Sequence, residues 1–185
     1  ASGGIWLSLN GTEMLLDPGP GSIVQSTKRK LRAESLSAII LSHRHLDHSG
    51  DINIMVEAMT QGGFKRHGRL FLPSDALGSE PVIFSYLREY LDGIEILQEG
   101  KSYSIDSVSF TTPVKHIHPV ETYGMRFAVG EHTFSYIADG HYFDGLSKNY
   151  LAETVIINVV FLEPRPIDHL SIPDAERLIA EMKPK

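Results

Sequence analysis

Cysteine is absent from all 185 residues of the chain, which removes a disulfide framework, a thiolate metal ligand and a cysteine nucleophile in one stroke. No apolar run is long enough to cross a bilayer, and the amino terminus lacks the basic-then-apolar pattern of a secretory signal. Repeats and low-complexity tracts are missing too. Positive charge is in short supply: 17 Lys and Arg against 23 Asp and Glu leave a net charge of −6, which opposes a broad electrostatic footprint for nucleic acid. The local basic runs Lys28-Arg29-Lys30-Leu31-Arg32 and Lys65-Arg66-His67 read first as solvated helix faces or loops and only second as contacts for an anionic substrate. A cytoplasmic protein without membrane contact is expected, although a processed secreted one also fits these absences.

What is present is ordinary in bulk and concentrated in one place. Apolar residues make up 42% and charged residues 22%, the balance of a globular chain long enough to bury a substantial core as one domain. The concentration lies in Leu41-Ser42-His43-Arg44-His45-Leu46-Asp47-His48-Ser49-Gly50, where four metal-capable side chains fall within six residues. They follow the aliphatic run Ala38-Ile39-Ile40-Leu41, which reads as a buried strand. In an open α/β sheet the ligand crevice lies beyond the carboxyl ends of the strands, so the loop stands in the favoured place. In an extended loop His43 and His45 point the same way, offset from Asp47 and His48. Imidazoles and a carboxylate without thiolate suit zinc, manganese or iron.

Along the rest of the chain, Ile5–Leu9, Asn10-Gly11 and Thr12–Leu16 predict a hairpin with a type I′ turn. Asp17, in the rigid loop that follows, either caps a turn or orients a ligand histidine. Helices are predicted over Ile23–Arg32, from Gly50 to Gly62-Gly63 and over Val82–Leu91, the last burying Ile83, Tyr86, Leu87 and Tyr90. Strands are predicted at Ser37–Leu41, Arg69–Leu72, Ile94–Leu97, Lys101–Ile105 and Val108–Thr112. A further hairpin pairs Tyr123–Val129 with His132–Ile137, and Thr154–Leu162 is expected to be a buried strand. Ser171 with Asp174 announces a capped helix carrying Ile172, Ala175, Leu178, Ile179 and Met182 at helical spacing.

The string His43-x-His45-x-Asp47-His48 after a buried strand resembles the signature of the metallo-β-lactamase superfamily. That resemblance implies an α/β (by some classifications α+β) fold, a four-layer αββα sandwich with a one- or two-metal hydrolytic site. His118, six residues before Gly124, is similar to the third ligand of the nuclease and phosphodiesterase branch, with Met125 where tyrosine is usual; His116 is then a neighbour rather than a ligand. Asp139, before Gly140 at the end of a predicted strand, resembles the aspartate that bridges the metals. His169, ahead of Leu170-Ser171, resembles a histidine that helps protonate the leaving group; a simple loop histidine is the competing reading. The implied ligands are His43, His45, His118 and Asp139 at one metal, with Asp47 and His48 at a second position shared with Asp139. Asp47 and His169 take the catalytic roles. His141 has no counterpart in the pattern. The family pattern also calls for a first strand before Ala1 and for a last strand carrying one more ligand histidine after Lys185. The expectation is therefore a single domain over residues 1–185 without those two strands, and with a weaker second metal position.

Such a site implies a hydrolase of a phosphodiester or related anionic ester, in which a metal-bound hydroxide attacks phosphorus. The expected cofactor is Zn2+, one or two per chain, with Mn2+ or Fe2+ as options. A thioester or ester hydrolase of the glyoxalase-II type is the first alternative, although its usual Thr-Pro-Gly-His-Thr motif is missing. A non-catalytic, nucleic-acid-associated or scaffold member of the fold is the second. The expected partner is an anionic small-molecule or nucleotide-like substrate, and a homodimer is compatible with the chain. A nuclease processing transfer RNA would be expected to carry a long basic, glycine-rich arm, and the sequence contains no such insertion.

Overall fold

The computed structural model describes residues 4–185, so the start at Ala1, to which the expected missing strand was tied, lies outside the described residues. The chain divides into two compact units, one ending at Leu97 and the other beginning at Gln98.

The first unit is a five-stranded sheet in the order β1 (Ile5–Leu9), β2 (Thr12–Leu16), β3 (Leu36–Ile40), β4 (Arg69–Leu72), β5 (Gly93–Ile96). The hairpin β1–β2 turns through Asn10 (φ 48°) and Gly11 (φ 79°), the pair of positive φ angles that a type I′ turn needs. From β2 to β5 every pairing is parallel, so the helical connections cross over between strands. These are α1 (Ser22–Lys28), then α2 (Leu46–Ser49) with α3 (Ile52–Met59), then a 3-10 turn with α4 (Ser85–Arg88). Strand residues alternate by face: Leu15, Ile39, Leu41, Leu70 and Leu72 join a core with Ile52, Met55, Val56 and Met59 of α3. Met14, Leu16, Ile40 and Phe71 point the other way and are buried as well, as expected of a parallel sheet.

The second unit is a sheet in the order β10 (Thr154–Ile157), β9 (His132–Ile137), β8 (Met125–Val129), β7 (Val108–Thr112), β6 (Lys101–Ile105). It is antiparallel except for β9–β10. The cross-strand partners Tyr103, Phe110, Phe127 and Phe134 form an aromatic file over four strands, with ring centroids 4.9, 5.4 and 5.0 Å apart. Such opposed aromatic pairs fix register. A second apolar cluster joins Ile137 with Leu146 of α5 (Leu146–Asn149), Tyr150, Leu170, and Leu178 and Met182 of α6 (Ile172–Met182).

Three predicted elements differ in extent. The helix expected to Arg32 ends at Lys28, because Lys30 takes a left-handed φ of 58° and the chain turns into the strand. Only Ser85–Arg88 of the predicted 82–91 helix is α-helical. Asn53 holds residues 82–84 in a bend instead, donating to the Val82 carbonyl (2.8 Å) and accepting from the Phe84 amide (2.9 Å). Ile83, Leu87 and Leu91 are nonetheless buried, whereas Tyr86 is exposed. The strand expected over 154–162 stops at Ile157, lies on the sheet edge and leaves Val160 and Leu162 exposed. Along α6, Ala175, Leu178 and Met182 are buried, but Ile172 and Ile179 face outward.

The start of α6 follows the predicted cap. Asp174 Oδ2 accepts from the Ser171 amide (2.9 Å), and the Ser171 hydroxyl accepts from the Asp174 amide (3.4 Å). Ser171→Ala removes the side-chain half of this box and is expected to cost about 1 kcal/mol. Urea unfolding checks it: the midpoint should fall while the dependence on denaturant stays unchanged.

Candidate metal centre

In the first unit, the end of β2 and the end of β3 lie side by side, Leu16 against Ile40. The two residues that leave these strands, Asp17 and Ser42, therefore meet at the carboxyl edge of the sheet, where α/β proteins gather their ligands. Asp17 is 2% exposed with φ 50°, and its amide donates to the Ile40 carbonyl (2.9 Å). Its carboxylate accepts from the Ser42 amide (2.6 Å), the Ser42 hydroxyl (2.7 Å) and His48 Nδ1 (2.9 Å). Burial by itself raises this carboxyl's pKa, but the hydrogen bond and charge of His48, with His43 and the Ser42 amide, bring it below the ordinary value. The carboxyl is thus held ionised.

These bonds decide the histidine tautomers. A carboxylate only accepts, so His48 carries its proton on Nδ1. The Ser42 hydroxyl donates to Asp17 and accepts from His43 Nδ1 at 3.0 Å. Both rings therefore present Nε2 as the lone-pair nitrogen, the form in which imidazole binds a cation. The His43 ring lies 4.8 Å from His45 and 4.2 Å from His48, centroid to centroid. Half-buried Asp47 brings Oδ2 to 3.5 Å from His48 Nε2. Arg44, between the two histidines, turns aside to Asp75 and Glu80, at 3.4 Å each. The six-residue motif thus gathers all four predicted donors of this unit, and Asp17 fixes the orientation of the His48 ring as well as shaping a turn.

In the second unit, Asp139 follows β9 and Asn158 follows β10, and the two strand ends pair in parallel, Ile137 beside Ile157. Asn158 Nδ2 donates to Asp139 Oδ1, and Asp139 Oδ2 accepts from His169 Nε2 at 3.0 Å. His118, in the connection between β7 and β8, gives its Nδ1 proton to the Asp168 carbonyl (3.0 Å). Its Nε2 is accordingly the lone-pair nitrogen. One donor atom each from His118, Asp139 and His169 lies within 4.8 Å of the others. His169 Nδ1 is buried and has no hydrogen-bond partner among the described residues. His141 pairs with Asp168 at 2.9 Å.

His116 is placed differently. It is 4% exposed, with Nδ1 on the Asp139 carbonyl (2.9 Å) and Nε2 on the Tyr150 hydroxyl (2.8 Å). With both nitrogens engaged it is a neighbour and not a donor, as its spacing from Gly124 indicated. Sequence reasoning missed Ser42, Asn158, Tyr150 and Asp168. Only Asn158 carried a signal, as a lone amide inside the aliphatic run Ile156-Ile157-Asn158-Val159-Val160. The basic runs contribute nothing to these clusters: Arg29 bonds Gln25, Arg32 pairs with Glu34, and Arg66 caps the Leu91 carbonyl.

The donors fit a divalent cation of borderline hardness. They are imidazole and carboxylate without sulfur, with ring tautomers set by oxygens that stand behind the rings. No helix among the described residues is long and apolar enough to cross a membrane.

A family profile for the Beta-lactamase superfamily domain matches residues 12–185. An uncharacterized protein of Methanocaldococcus jannaschii, MJ1374, is 32% identical over 193 residues, covering all of this chain and 72% of that protein. The probable metallo-hydrolase YhfI of Bacillus subtilis is 35% identical over 113 residues, which cover 60% of this chain and 46% of YhfI. The crystal structure of YhfI, a metallo-beta-lactamase fold protein, superposes with a TM-score of 0.82 at 26% identity, covering 98% of this chain and 75% of YhfI. A diphosphatase of the PhnP family superposes with a TM-score of 0.75 at 20% identity, covering 98% of this chain and 69% of that one. With both sheets, the donor loops and nearly the whole length matched, the chain belongs to the β-lactamase superfamily and has the fold of its metallo-hydrolases.

Proposed function

We propose that this chain is a metal-dependent hydrolase of phosphodiesters or closely related anionic esters. The observation that carries the metal assignment is the orientation of the rings: His43, His48 and His118 each commit Nδ1 to an oxygen and keep Nε2 for a cation. The donors are those of the family motif: His43, His45, Asp47 and His48 in the first unit, and His118 and Asp139 in the second. Zn2+ fits the set best, and Mn2+ or Fe2+ share the same donor preferences. When bound, such a cation supplies a Lewis acid and brings the pKa of water towards neutrality.

The substrate class rests on a narrower set of features. The interval from His118 to Gly124 and the run His169-Leu170-Ser171 match the nuclease and phosphodiesterase branch, and one neighbour of the same fold is a diphosphatase. His169 is built for proton delivery. Asp139 holds its Nε2–H, so Nδ1 is the nitrogen that takes up a proton and, as imidazolium, passes it to the leaving oxygen and returns to the neutral ring, with the carboxylate steadying it as in other carboxylate–histidine pairs. Asp47, more exposed than Asp17 or Asp139, orients the attacking water. The substrate is a small anionic or nucleotide-like molecule.

Three measurements test this reading. Elemental analysis of a folded His43→Ala, His45→Ala double variant should show loss of bound zinc or manganese, and parent-level metal would refute the donor assignment. Asp47→Asn keeps the size of the side chain and removes its charge. Turnover of a chromogenic phosphodiester should fall by about 100-fold or more, on the scale of lost general acid–base assistance, with little change in thermal stability. A panel with a thioester and a β-lactam decides the substrate class, and preferential thioester cleavage would overturn the phosphodiester assignment.

A further inference from the structure

Asp139 is gripped from behind by groups that no metal-binding motif includes. His116 Nδ1 lies 2.9 Å from the Asp139 carbonyl oxygen, and because that oxygen only accepts, Nδ1 carries the proton. His116 Nε2 must then accept, and the Tyr150 hydroxyl donates to it at 2.8 Å. The chain of donors runs Tyr150, His116, Asp139.

The packing leaves no slack in the chain. Tyr150 is fully buried, and its ring stands edge-on to His116 with centroids 5.5 Å apart. A Cβ on residue 124 would come within 2.6 Å of the Tyr150 hydroxyl and 2.5 Å of the Tyr136 carbonyl. Only glycine lets the backbone approach this closely. The same histidine closes the base of the loop that carries His118: the His116 amide donates to the Thr122 carbonyl (2.9 Å), and the next pairing out is Lys115 with Tyr123. His116 is therefore bonded at once to the loop of one metal donor and to the peptide of another.

We infer that Tyr150 and His116 form a positioning pair that sets the spacing between His118 and Asp139, and through it the affinity of their metal site. The inference deepens the proposed function, since it rests on Asp139 and His118 being metal donors. Neither Tyr150 nor His116 touches the cation or the substrate. Their effect passes through the peptide of Asp139: the bond at its carbonyl fixes the backbone from which the carboxylate projects. Outer partners of metal ligands are worth on the order of 10- to 100-fold in affinity.

The test is competition of the chain with a chromophoric chelator for Zn2+, with circular dichroism to verify folding in the metal-free state. His116→Leu removes both bonds and should weaken Zn2+ binding about 10- to 100-fold. His116→Asn places an amide N–H where Nδ1 stood, so it should restore most of that affinity even though it loses Tyr150. Tyr150→Phe keeps every ring atom in the core and should weaken binding by a smaller factor. Unchanged affinity in a folded His116→Leu, or equal losses for Leu and Asn, would overturn the inference. Should His116→Leu not fold, Tyr150→Phe decides alone, and parental affinity there overturns it. Asp139→Ala is the control: if it keeps parental affinity, the metal assignment itself fails, an outcome distinct from failure of the positioning pair.

Discussion

A histidine serves a cation only through a nitrogen that carries no proton, and in this chain the oxygens behind the rings decide which nitrogen that is. Everything else in the structure serves to bring those oxygens into place. Asp17 is the clearest case. A buried carboxylate is costly unless it is fully hydrogen-bonded, and Asp17 meets that condition with three donors. Two of the three come from Ser42, one residue past the last core strand residue, and the third comes from a motif histidine. The desolvation cost of one carboxylate is thereby offset by the same bonds that fix His48 directly and His43 through a hydroxyl.

The placement of these groups follows from strand pairing. Parallel strands end at a common edge, so residues that leave β2 and β3 become neighbours although 25 residues separate Asp17 from Ser42. The second unit repeats the device with its single parallel pair, β9 and β10, whose exits supply Asp139 and Asn158. Antiparallel hairpins could not do this, because their successive exits lie at opposite edges. The aromatic file from Tyr103 to Phe134 holds the antiparallel part of that sheet in register, and so fixes how far the tip of β9 projects.

How much of this could be read from the sequence depends on whether the signal was local. The donor string His43 to His48, the Asn10-Gly11 turn and the Ser171 cap were legible because each is written in a few consecutive residues with one physical meaning. The length of α4 was not. Its apolar spacing at Ile83, Leu87 and Leu91 is helical, yet Asn53, 29 residues from Val82, holds the first turn open through two backbone bonds. The extent of the final strand was overread for a related reason: an aliphatic run has the same appearance whether both faces are covered or one edge is bare. Tyr150 and Asp168 give no local sign at all, since each matters only through what the fold sets beside it.

The two units set their histidines with acceptors of different strength, and this has a consequence for the donors. His48 gives its proton to an ionised carboxylate, His43 to a hydroxyl that leans on that carboxylate, and His118 to a neutral peptide carbonyl. A hydrogen bond to a charged acceptor is roughly twice as strong as one between neutral groups, and it pushes more electron density onto the opposite nitrogen. His48 is thus the most firmly set of the three rings, His43 follows and His118 is held least. In the unit of His118 a neighbouring carboxylate is held as well, as Asp17 is in the other, with partners on Oδ1, on Oδ2 and on the carbonyl of Asp139. A side chain held in this way gives up little freedom when a ligand binds it, so each unit sets its histidines beside a carboxylate that is already in position.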